Sequence, residues 1–119
     1  SRIMLVIKGL MAQYVGMPTM IFDEIDAGVS GSVADKMGRK IVDMGRNMQI
    51  FAITHLPQVA SKGSAHYLVY KIIEESDEPR TQIKYIEGDE RVREIARMLS
   101  GSKLTEEALA NARVLLQSE

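Results

Sequence analysis

The stretch TMIFDEIDAGVSG, residues 19–31, brings three carboxylates, Asp23, Glu24 and Asp26, to the end of a short apolar run. Hard oxygen donors suit Mg2+, which keeps several of its waters and can be held by a single protein carboxylate. A second carboxylate beside the metal ligand is placed to orient and deprotonate an attacking water. The plain alternative is a capping turn that is merely acidic. His55 follows Thr54 after a second apolar run, QIFAIT. A neutral imidazole there can donate a hydrogen bond to a terminal phosphate. Its own alternative is a surface or capping histidine. Asp23 and Glu24 on a neighbouring strand tip the reading toward chemistry. His66 opens a later strand and reads as structural.

Several elements must position these groups. The apolar density of residues 1–15 predicts a buried helix, ended by Gly16 and Pro18. Residues 19–22 read as a short strand, central in a parallel sheet because neither face is polar. Val33, Met37, Ile41 and Met44 stand at helical spacing, with Ser30 or Ser32 as the cap. Residues 49–54 form a second buried strand, and Pro57 marks the start of a short helix. Strands joined by helices imply a parallel sheet, whose ligands bind outside the carboxyl ends of its strands. Asp23-Glu24 and Thr54-His55 both fall at such ends.

The rest changes character. HYLVYKII (66–73) and TQIKYIE (81–87) flank a polar loop and read as a β-hairpin. Val92, Ile95, Ala96 and Leu99 make one helical stripe, capped by Asp89 and ended by Gly101. A last helix is capped by Thr105, with Leu109, Ala112 and Leu116 inward.

Composition narrows the class. The chain has 119 residues, net charge −1, 45% hydrophobic residues and no cysteine. That is one α/β domain or part of one, without a disulfide framework or a global basic field for nucleic acid. It fits a cytoplasmic protein. No apolar run approaches the ~20 residues of a membrane helix. The first residue is Ser1, and an apolar run starts at Ile3, which reads as a chain cut from something longer.

IFDEIDAGVSG, followed after one helix by ITHLPQVA, resembles the Walker B, D-loop and H-loop of ABC-type ATPases, in the form of the RecN family of SMC-like bacterial DNA repair ATPases. Ser1 and Arg2 resemble the end of that family's signature, Leu-Ser-Gly-Gly-Glu-Leu-Ser-Arg. The tail ERVREIARMLSGSKLTEEALANARVLL resembles the family's C-terminus. The resemblance covers essentially the whole chain, residues 1–119, as the C-terminal lobe of an ATPase head. It implies that Asp23 holds Mg2+ and that Glu24 is the base that activates water. Asp26 to Ser30 would form the D-loop crossing to a partner head. His55 would sense the γ-phosphate of ATP, and Arg2 would lie near the partner's nucleotide. Two heads would sandwich ATP in a homodimer coupled to DNA at double-strand breaks, placing the protein at the nucleoid.

No Gly-x-x-x-x-Gly-Lys-Ser/Thr loop occurs in this sequence, so the phosphate cradle is expected from an N-terminal lobe. Neither the family's Q-loop nor its coiled coil is present. The 119 residues alone are therefore expected to lack ATPase activity, to expose apolar surface and to self-associate. Two other readings stand beside this one: the head of another SMC-like ATPase, and a non-catalytic interaction module whose methionine-rich first helix is a docking surface.

Overall fold

The computed structural model describes residues 19–23, 30–75, 78–101 and 103–117. The helix expected over 1–15, and with it Arg2, lies outside these residues, as do Glu24 and Asp26. Strand β1 (Thr19–Asp23) and strand β2 (Gln49–Ile53) pair in parallel. Helix α1 (Gly31–Gly45) lies between them in the chain. Parallel neighbours need such a crossover, because a tight turn can only reverse direction.

Alternation along β1 decides what α1 covers. Met20 and Phe22 point inward, and Thr19, Ile21 and Asp23 point out. Met20 and Phe22 join Met37 and Met44 of α1 and Met48 of the following turn in one core, with Val33, Ile41 and Ile50 packed around it. Unbranched methionine side chains fill the irregular space between a helix and a two-stranded sheet. The expected stripe of Val33, Met37, Ile41 and Met44 is the stripe that packs.

The other face of β1 and β2 is open, as expected of the 119 residues alone, so neither strand is buried on both faces. Ile21, Phe51 and Ile53 are 60%, 47% and 53% exposed. Among the described residues β1 pairs with β2 alone, so it is not a central strand there. A run of apolar residues does not say whether one face or both faces of a strand will be covered.

Helix α2 (Pro57–Ala60) begins with proline at its first turn, where the missing N–H costs nothing. Strands β3 (His66–Ile72) and β4 (Arg80–Ile86) form the antiparallel hairpin, pairing His66 with Ile86 and Ile72 with Arg80. Tyr67 and Tyr85 face each other across it, ring centres 5.4 Å apart. Helices α3 (Gly88–Ser100) and α4 (Glu106–Gln117) close a second core. Ile95, Ala96, Ala108 and Ala112 are buried there, and Ala60 of α2 packs against them. Small alanines on both helices let the backbones approach.

Helix ends follow the expected chemistry with two corrections. The Ala108 amide donates to Thr105 Oγ1 at 3.0 Å, so Thr105 caps α4. Gly101 ends α3 with φ +83°, a conformation that a Cβ disfavours. Asp89 does not cap α3: Glu87 occupies that position, and Asp89 lies in the first turn. Its carboxylate there still faces the positive end of the helix. Ser30 holds the cap position of α1 but makes no side-chain cap bond. Its carbonyl accepts from Ala34 N–H at 2.8 Å, while its hydroxyl lies 3.3 Å from that of Ser32.

Candidate functional site

The register of β1 against β2 builds the candidate site. Asp23 is the last residue of β1 and pairs with Ile53, the last residue of β2. Thr54 and His55 follow directly, so Asp23 and His55 come to the same carboxyl edge, one strand apart. Both are exposed. Asp23 is the one member of the acidic trio among the described residues. A carboxylate on a strand end, fixed by the ladder behind it and open in front, fits a cation that keeps most of its water.

The His55 turn is built by its neighbours. Leu56 N–H donates to Thr54 Oγ1 at 3.0 Å, closing a small turn around His55. Pro57 then starts α2. Gly31, the first residue of α1, reaches the same place from the other side. A Cβ on Gly31 would lie 3.3 Å from Gln58 Nε2. The start of α1 therefore lies beside the chain leaving the His55 turn. Ser30, exposed, stands at that entry.

Two further residues shape this edge, and neither is evident from the sequence. Lys62 Nζ lies 2.6 Å from Asp35 Oδ1 and donates to the Gln58 carbonyl at 3.1 Å. Its side chain is only 5% exposed. The Lys62 ammonium, hydrogen-bonded to Asp35, holds that carboxyl below the usual 3.8 against the opposing effect of burial; Arg39 at 3.1 Å adds to this. From α3, Arg91 Nη2 donates to the carbonyls of Ala60, Ser61 and Gly63. Partners 27 and 28 residues apart leave no local signal.

The chain is 42% identical over 118 residues to the DNA repair protein RecN of Streptomyces coelicolor, across 99% of this chain and 20% of that protein. It is 40% identical to RecN of Vibrio cholerae, across 98% of this chain and 21% of that protein. With RecN of Xylella fastidiosa (strain 9a5c) it shares 43% identity, again across 98% and 21%. The likeness to RecN runs over nearly the whole chain. What it matches is the C-terminal part of RecN, and it spans about one-fifth of the length of the curated relatives it matches. No family model matches it. Among its described residues the chain thus carries a parallel strand pair, an antiparallel hairpin and two C-terminal helices. No helix among its described residues is long and apolar enough to cross a membrane.

Proposed function

We propose that this chain is the C-terminal lobe of the ATPase head of a RecN-type DNA repair protein, completed by an N-terminal lobe that supplies the phosphate loop. The observation that carries the proposal is the pairing of Asp23 with Ile53. It sets an acidic strand end and His55 on one sheet edge, where ligands of parallel sheets bind.

In this reading Asp23 is the carboxylate that holds Mg2+. When bound, that ion supplies positive charge against the nucleotide phosphates. Glu24 takes the proton of the attacking water. His55 donates a hydrogen bond to the terminal phosphate from the turn that Thr54 shapes. Residues 26–30, Asp26 to Ser30, reach the partner head of a homodimer, and Arg2 lies near that partner's nucleotide. Turnover opens and closes the pair of heads on DNA during double-strand break repair and recombination, in the cytoplasm at the nucleoid. The relatives named DNA repair protein RecN support the DNA part of this reading.

The deciding experiment compares the full-length wild-type protein with Glu24→Gln. Hydrolysis falls by ~10²-fold or more, the loss expected on removing a general base. ATP binding persists, and the dimer accumulates. Unchanged turnover in Glu24→Gln would overturn the assignment, and absence of any Mg2+-nucleotide binding by the full-length protein would favour a non-catalytic interaction module.

A further inference from the structure

We infer that the Asp35–Lys62 ion pair is a positioning device, which holds α2 and the His55 turn in one place against α1.

Helix α2 has four residues, too few to be stable by itself. Its position is therefore imposed by what it touches. On the α3 side Arg91 grips the carbonyls that follow it. On the α1 side the contact is the ion pair. Lys62, just past α2, turns back so that Nζ meets both Asp35 of α1 and the Gln58 carbonyl of α2. Gly38 makes the approach possible: a Cβ there would meet Lys62 Cδ at 2.7 Å and the Gln58 carbonyl at 3.1 Å. The lysine stem thus lies in a slot cut into α1.

The chemistry of the pair favours positioning over simple adhesion. Withdrawing a lysine from water is costly, and apolar residues of similar volume often stabilise as well or better. An apolar contact tolerates sliding. An ammonium that must meet a carboxylate and a carbonyl together accepts one arrangement. The turn thereby fixed is the one that carries His55. Its residues 54–56 run from β2 into α2.

The consequence for catalysis rests on the ATPase reading, so the test has one readout that does not. In the full-length protein, without nucleotide, Lys62→Met raises amide exchange across residues 54–60 by roughly tenfold and leaves α3 and α4 protected. In ATP hydrolysis it lowers kcat by about tenfold or more with KM for ATP nearly unchanged, as expected for a misplaced group. Lys62→Arg, which keeps the ion pair, restores most of kcat. Unchanged exchange across 54–60 in folded Lys62→Met overturns the inference. So does faster exchange with wild-type kcat, since the loop then moves without consequence. If Lys62→Met does not fold, Asp35→Asn keeps the shape, removes the charge and is read by the same two measurements. Glu24→Gln, run in parallel, separates the failures: if it leaves turnover intact the ATPase reading fails, while exchange across 54–60 still reports whether the pair holds the turn.

Discussion

Arg91 Nη2 donates to the Gly63 carbonyl at 2.7 Å, from a helix that begins 25 residues later in the chain. The same nitrogen reaches the carbonyls of Ala60 and Ser61 at 3.2 and 3.3 Å. One guanidinium thus reaches three carbonyls where α2 ends, and ties the first α/β unit to the C-terminal helices. Arg91→Met keeps the apolar stem and removes the donors. It is expected to lower the unfolding free energy by about 2–3 kcal/mol, the scale of lost hydrogen bonds to a charged group. A loss under about 0.5 kcal/mol, within the range of ordinary surface substitutions, would contradict this.

His66 makes stability depend on mild acid. Burial holds its pKa below the ordinary 6.5, the nearby Arg91 guanidinium adds to this, and Glu94 opposes it. Its Nδ1 is buried with no protein partner. The unfolded chain therefore binds a proton more readily than the folded one. The contribution is fully present above about 6.5 and is lost as pH falls from there through the lowered folded value. Denaturant unfolding at pH 7.5 and 5.5 should show the wild type weakened at the lower pH. His66→Gln should lose less between the two.

Asp35 governs a lower window. Its folded pKa lies below 3.8, chiefly through the hydrogen bond from Lys62. The stability it contributes is present above 3.8 and lost as pH falls through the folded value. An acid titration of the folded fraction should therefore be shallower in Asp35→Asn than in wild type. Identical acid limbs would mean that the pair does not couple to folding.

Phe22 has no exposed surface and sits at the centre of the methionine core. Phe22→Ala should cost about 3–5 kcal/mol by leaving a cavity among Met20, Met37 and Met44. Phe22→Leu should cost less, because a methionine-lined space can partly close around it. Equal losses for the two would mean that the site cannot relax.

The elements were largely legible because their signals are local. Period-3.6 stripes named the packing faces of α1, α3 and α4, Thr105 marked a helix start, and Pro57 marked another. The polar loop between two β-rich runs announced the hairpin. Where local signals competed, the outcome turned on small margins. Three residues near the start of α3, Glu87, Asp89 and Glu90, are acidic, and the cap fell two residues before the expected Asp89. Ser30 took the cap position of α1 without using its hydroxyl to cap it.

The sequence by itself determined which residues could do chemistry, which strands and helices carry them, and the likeness to the C-terminal part of RecN. Those properties depend on residue type, on short-range periodicity and on motif spacing, all of which are written along the chain. Only the tertiary structure decided that Asp23 pairs with Ile53, that Ile21 and Phe51 stay exposed, and that Lys62 reaches back into α1 to meet Asp35. A buried lysine and a surface lysine are the same letter. What separates them is a carboxylate 27 positions away and a glycine that leaves room for the stem, and that meeting exists only once the helices have packed.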